Sequence, residues 1–143
     1  MPSDNEIAVG KFWDAFWSKG DQSVAEEIFD PNLRDIDPYW PSGADGGIPA
    51  MIEKNNFYYG LMPDLHCTVR KQLVAGDSIV TRWEATGSHQ GEFAGITPTG
   101  KSMTITGISI LTCRDGKIVE QIIEYDFVGL LRQMGATTIP GGA

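Results

Sequence analysis

The sequence predicts an α+β fold in a single domain, because helical and strand-like patterns occupy different halves of the chain. Before residue 64, apolar residues recur at helical spacing. After it, runs rich in Val, Ile and Thr alternate with polar residues, as strands do. Segregated helices and strands are typical of α+β domains. We therefore expect a curved, mostly antiparallel sheet to wrap around the N-terminal helices and leave a cavity between them.

The first helix is predicted over residues 3–19 and is rich in aromatic residues. Ser3 and Glu6 form a capping box at its start. Trp13 and Trp17, four residues apart, add a second apolar stripe to the helix. Such a helix must be covered on most of its circumference, or it must line a cavity.

The other predicted elements follow from turn and breaker signals. Asp30-Pro31 ends the second helix, Asp115-Gly116 forms the last hairpin turn, and residues 87–101 form a long loop. The elements are helices over 21–29 and 48–60, a short strand over 33–37, longer strands over 65–75, 79–86, 103–112 and 118–126, and a helical end over 127–134. We expect the domain to span residues 1–143, with a core over about 5–136 and a flexible tail over 137–143.

Composition excludes several classes of partner. The formal net charge is -8 and the sequence pI is near 4.6, so nucleic acid and anionic membrane surfaces are repelled. No apolar run approaches the ~20 residues that span a bilayer, and no signal peptide is visible, so we expect a cytoplasmic protein. Cys67, Cys113 and the two histidines lack the spacing of a zinc site, so we expect no metal. We expect both thiols to be buried and reduced, with a disulfide left open as the alternative.

Four segments, in a fixed order, are specific as a set to one protein family. They read G-S-H-x-G-E-F, P-T-G-K, D-G-K-I-V-E and D-x-x-G-L-L-x-Q-x-G. With them the chain resembles the SnoaL-like polyketide cyclases of the nuclear transport factor 2-like superfamily, over about residues 5–136. The resemblance implies a cone-shaped barrel and a homo-oligomer, either a dimer or a tetramer. It also implies ring closure of an aromatic polyketide by intramolecular aldol condensation, without metal or cofactor. The acid/base of that reaction is an aspartate, which the resemblance places at Asp126.

Two segments depart from the family pattern. Many relatives have a histidine before the Asn/Asp-Pro of the loop that precedes the third helix, where this chain reads Asp35-Ile36-Asp37-Pro38. Relatives often have His-Trp after the I-V-E motif, where this chain has Gln121-Ile122. Both changes favour a non-catalytic binder a little.

Asp126 is also a candidate base on its own chemistry. It ends a predicted strand among apolar and aromatic neighbours, and alternation places it on the face of Ile118 and Ile122 unless a bulge intervenes. A carboxylate in an apolar pocket loses hydration and becomes a better base for a carbon-bound proton. The alternative is a strand-end carboxylate that caps the following helix.

An enolate formed by that base needs hydrogen-bond donors near its oxygen. His66 and His89 are the candidate catalytic donors, and the alternative for each is a structural histidine. The aromatic residues predict a pocket wall on which a flat apolar molecule would stack, with ordinary core packing as the alternative. The predicted substrate-binding residues are Trp13, Trp17, Tyr39, Trp40, Asn56, Tyr58 and Trp83.

Three functions remain open from the sequence. The first is a cyclase acting by acid/base chemistry on a polyketide or other polycyclic ketone, with an isomerase, dehydratase or epoxide hydrolase as variants on the same fold. The second is a non-catalytic module that binds a small apolar or aromatic molecule or dimerises. The third is a purely structural assembly module, which predicts a filled cavity.

Overall fold

The computed structural model describes residues 1–40 and 43–137, so the predicted tail lies, except for residue 137, outside the described residues. In chain order the elements are α1 (Asp4–Lys11), a π-helical segment (Phe12–Trp17), a 3₁₀ turn (Gln22–Val24), α2 (Ala25–Ile28), β1 (Phe29–Ile36), α3 (Gly47–Leu61), β2 (His66–Ala75), β3 (Ser78–Ser88), β4 (Ser102–Arg114), β5 (Lys117–Tyr125) and α4 (Phe127–Gln133). No helix among these described residues is long and apolar enough to cross a membrane.

The five strands form one sheet in the order β1-β5-β4-β3-β2. Only the β1–β5 pair is parallel, and the other pairs are antiparallel. The sheet curves around the helices, so the predicted α+β class is confirmed. The buried apolar side chains form one cluster between the helices and the inner face of the sheet.

The first helix begins as predicted and then widens. The Ser3 side chain accepts a hydrogen bond from the Glu6 N–H, as a capping box requires. After Lys11 the helix continues as a π-helical segment, in which all four aromatic residues are buried. The expectation that this aromatic helix is covered on most of its circumference is therefore confirmed for its aromatic residues. π-helical turns occur often at functional sites.

The second helix is shorter than the predicted range 21–29. Asp21 caps the 3₁₀ turn, and Phe29 is already in β1, where it pairs with Ile118. Pro31 is tolerated in β1 because this is an edge strand whose register is irregular between Phe29 and Arg34.

A bulge in β5 reverses the predicted alternation. Cys113 pairs with Ile118 and Thr112 pairs with Glu120, so Val119 is the extra residue. Beyond the bulge the odd-numbered residues face inward, and Ile122 lies on the outer face. The prediction that Ile118, Glu120, Ile122, Glu124 and Asp126 share a face is therefore wrong.

Candidate active site

A cavity of about 60 Å³ lies between the helices and the inner face of the sheet. Its wall is aromatic and apolar, with a few polar side chains. The lining residues are Trp13, Trp17, Asp37, Lys54, Tyr58, Met62, Leu65, Cys67, Trp83, Ala85, Ile105, Gln121, Ile123 and Tyr125. A structural assembly module was expected to have a filled interior, whereas this interior contains a cavity.

Three tryptophans form the aromatic wall. The Trp13 and Trp83 rings lie 5.8 Å apart between centroids, at an interplanar angle of 35°. Trp83 lies tightly over β4 at Gly107, where a Cβ would come within 2.4 Å of its ring. Trp17 meets Tyr58 edge to face at 6.3 Å. Three of the predicted binding tryptophans therefore share one cavity.

A buried ion-pair triad lies at the polar end of the cavity. Lys54 is 2% exposed, and its Nζ contacts Asp35 and also Asp37, the latter at 2.8 Å from Oδ2. The Gln121 amide donates to Asp35 at 2.9 Å, and the Tyr39 backbone N–H donates to Asp37 at 2.8 Å. Asp37 and Lys54 line the cavity, whereas Asp35 is not among its lining residues. The triad thus contains two carboxylates and one ammonium group, and Asp37 is the carboxylate that lines the cavity.

Two tyrosine hydroxyls meet beside this triad. The Tyr58 and Tyr125 oxygens are 3.0 Å apart. Burial raises the pKa of Tyr58 to about 12. Burial, with the neighbouring Tyr58 hydroxyl, also raises the pKa of Tyr125. Both hydroxyls therefore stay protonated at neutral pH, and after one donates to the other a single O–H remains free for a ligand.

The two cysteines are buried free thiols, as predicted. Cys67 lines the cavity, and burial raises the pKa of its thiol to about 12. Because the thiolate is the nucleophilic form, Cys67 is a wall residue rather than a nucleophile at neutral pH.

Asp126 lies outside the cavity. Its side chain is exposed, and its Oδ1 accepts the Gly129 N–H at 2.8 Å as the N-cap of α4. Gly129 permits this approach, because a Cβ there would come within 2.1 Å of the carboxylate. The sequence-based expectation of an apolar pocket around Asp126 is therefore corrected, and its helix-capping alternative describes what the structure has. The bulge in β5 explains the error.

Neither histidine lines the cavity. His66 is exposed at the start of β2, where its neighbour Cys67 takes the inward position. His89 is fully buried, and its Nδ1 accepts the Thr99 N–H at 3.3 Å while lying 3.0 Å from the Thr99 hydroxyl. The His89 backbone N–H donates to the Lys101 carbonyl, and the His89 carbonyl accepts from the Gly100 N–H, so both bonds close the same loop. His89 therefore organises the loop, and His66 faces away from the cavity.

The remaining predicted binding residues do not line the cavity. Tyr39 is 45% exposed and packs against Tyr125. The Trp40 ring lies 5.6 Å from Lys54 Nζ, a cation–π contact. Asn56 is exposed and accepts a hydrogen bond from Gln22, so it is outside the predicted pocket.

Among the cavity residues that were not predicted as site residues, four carry oxygen or nitrogen in their side chains: Asp37, Lys54, Gln121 and Tyr125. Two of them had a signal in the sequence, because Asp37 and Gln121 belong to the segments that depart from the family pattern. Lys54 had none, since a lysine on a predicted helix is ordinarily at the surface. Tyr125 was hidden by the assumed strand alternation.

The fold identifies the class of protein to which this chain belongs. A curved sheet wrapped around N-terminal helices is the nuclear transport factor 2-like architecture. The family model described as SnoaL-like polyketide cyclase matches residues 7–134, so the chain belongs to that family.

Solved structures agree with this assignment. TsrD from Streptomyces laurentii is 26% identical with a TM-score of 0.82, covering 93% of this chain and 96% of its own. IdmH from Streptomyces antibioticus is 28% identical with a TM-score of 0.80, covering 94% and 100%. A SnoaL-like polyketide cyclase from Agrobacterium tumefaciens shares the fold at 15% identity, with a TM-score of 0.76 and coverage of 94% and 100%. No curated protein matches the chain.

Proposed function

We propose that this protein is a cyclase that performs cofactor-independent acid/base chemistry beside a ketone, with Asp37 as the base. The observation that carries the proposal is the convergence of Asp37 and the Tyr58–Tyr125 hydroxyl pair at one end of an aromatic cavity. The substrate class is a polyketide or another polycyclic ketone, whose flat rings suit tryptophan walls.

The step is an intramolecular aldol addition. Asp37 takes a proton from the carbon next to a carbonyl, and the C–H electron pair forms an enolate. The free tyrosine O–H donates to the enolate oxygen. The enolate carbon then attacks a second carbonyl carbon of the same molecule, which forms the C–C bond. The resulting alkoxide takes the proton back from Asp37, so atoms and charge balance.

Lys54 and Tyr39 position the base. Lys54 holds one Asp37 oxygen, and the Tyr39 backbone N–H holds the other. Because Asp35 shares the Lys54 charge, the ammonium group does not fully neutralise Asp37. The carboxylate is thus fixed in orientation at the wall of the cavity.

The cavity volume implies that the ligand opens the site. A dry protein cavity of about 150 Å³ accommodates benzene, and this cavity has about 60 Å³. A ring enters only if neighbouring side chains move outward. Tyr39 and Phe57, which contact the two cavity tyrosines and are 45% and 39% exposed, are the side chains with room to move.

Deuterium exchange tests the proposed chemistry without knowledge of the natural substrate. Cyclohexanone or cyclohexane-1,4-dione is incubated with the protein in D₂O near neutral pH, and deuterium at the α-carbons is followed by NMR. We expect exchange well above the rate with heat-denatured protein. Binding of either ketone without faster exchange would instead identify a ligand-binding module, the second function left open by the sequence.

We also propose that copies of the chain associate through the outer face of the sheet. One cross-strand row on this face is apolar across all five strands: Ile36, Ile122, Ile110, Val80 and Leu73. Leu73 is 55% exposed. In the next row Glu124 and Arg82 flank Ile108, an arrangement of opposite charges that is self-complementary in a two-fold dimer.

Ile110→Glu is expected to produce monomers, because it places a charge in the centre of the apolar row. Size-exclusion chromatography with light scattering measures the mass. Thr104→Glu, on the same face of β4 but away from the row, is the matched control and should keep the oligomer. A wild-type protein that is monomeric at every concentration would refute the interface.

A further inference from the structure

One cavity side chain has a polar group without a partner. The Trp13 indole N–H is buried and makes no hydrogen bond within residues 1–40 and 43–137, and the residue is 4% exposed. A buried donor left unpaired is costly and rare in native proteins. The Trp83 indole, in the same wall, donates to the Ser109 hydroxyl at 3.0 Å.

No acceptor in the described part of the chain reaches the Trp13 N–H. Its ring contacts Phe12 at 4.8 Å and Trp83 at 5.8 Å between centroids, and neither ring carries an oxygen. The side-chain oxygens that line the cavity belong to the loop after β1, to α3 and to β5, whereas Trp13 lies on the N-terminal π-helical segment. Because Trp13 lines the cavity, a molecule bound there can supply the acceptor for this N–H.

We infer that the Trp13 indole N–H binds a second oxygen of the ligand, distinct from the carbonyl oxygen that the tyrosine pair receives. The Trp13 N–H and the free tyrosine O–H belong to different elements, so a ligand that satisfies both donors carries two oxygens. The aldol substrate already carries two carbonyl oxygens, and the Trp13 N–H is the donor for the second of them. This inference rests on the proposed function, because both place the ligand in the same cavity.

NMR of the indole groups tests the inference directly. Protein labelled with ¹⁵N gives one indole cross-peak for each of four tryptophans, and Trp13→Phe identifies the peak of Trp13. Titration with cyclohexane-1,4-dione should move the Trp13 proton downfield, and cyclohexanone should move it less. Trp13→Phe should weaken dione binding about fivefold to tenfold, the value of one hydrogen bond, and so remove the preference for the dione.

Trp83→Phe is the matched control. It also removes an indole N–H from the wall, but one that is already bonded to Ser109, so the preference for the dione should persist whatever the overall affinity. A structural role for Trp13 would not produce a downfield shift of its N–H that is larger with the dione than with cyclohexanone.

The two proposals fail in different ways. If the Trp17 and Trp83 peaks move with the dione while the Trp13 peak stays, the inference is overturned and the proposed function stands. If no cavity peak moves and no deuterium exchange occurs, both are overturned.

Discussion

Asp37→Asn is expected to slow α-carbon deuterium exchange by about 10²–10⁴-fold, the usual contribution of a positioned general base. The variant should still fold. The amide oxygen that replaces the carboxylate can still accept the Tyr39 backbone N–H, and Lys54 retains Asp35 as its counter-ion. The loss should therefore appear in exchange rate and not in the melting temperature.

Asp35→Asn provides the matched control for this result. It removes the same charge from the same lysine, and its amide oxygen can still accept from Gln121. Because Asp35 does not line the cavity, exchange should fall far less than in Asp37→Asn. Equal losses in the two variants would mean that the charge of the triad matters and that Asp37 is not the base.

Asp126→Asn tests which aspartate is the base, Asp37 as the structure favours or Asp126 as the family resemblance implies. Asparagine is as good a helix N-cap as aspartate, so α4 should remain intact. We expect little loss of exchange, since the Asp126 carboxylate is exposed and outside the cavity. A loss of exchange rate comparable to that of Asp37→Asn would mean that Asp126 is the base.

The order and type of the elements were predictable because most signals in this chain are local. The capping box at Ser3, the Asp115-Gly116 turn and the alternation in β3 and β4 each depend on a few neighbouring residues, and each agrees with the structure. The aromatic wall followed from composition and helical spacing, and Trp13, Trp17, Tyr58 and Trp83 lie where a pocket was expected.

The polar end of the cavity was not predictable because it depends on contacts between distant segments. One bulged residue, Val119, decides that Tyr125 faces the cavity and Asp126 does not. A buried lysine is stable only with counter-ions, and its partners here are 17 and 19 positions earlier in the chain. Asp37 and Gln121 lie in the two segments that depart from the family pattern. Those departures were the visible trace of this site, although they had favoured a binder.

Lys54→Met is expected to cost about 3–5 kcal/mol in the free energy of unfolding, because it leaves two buried carboxylates without their shared cation. For a chain of this length, that corresponds to a fall in melting temperature of about 10 °C or more. Thermal unfolding followed by circular dichroism measures it.

Lys11→Met is the matched control for the same side-chain change. Lys11 pairs with Glu27 at the surface, where the two side chains are 41% and 59% exposed, and such pairs contribute about 0–1 kcal/mol. The triple variant Lys54→Met, Asp35→Asn, Asp37→Asn should recover most of the lost stability, since no buried charge then lacks a partner. If the triple variant recovers the free energy of unfolding but not the rate of deuterium exchange, the charges of the triad are needed for catalysis and not for stability. Similar melting of Lys54→Met and Lys11→Met would mean that the Lys54 ion pairs contribute no more than a surface pair.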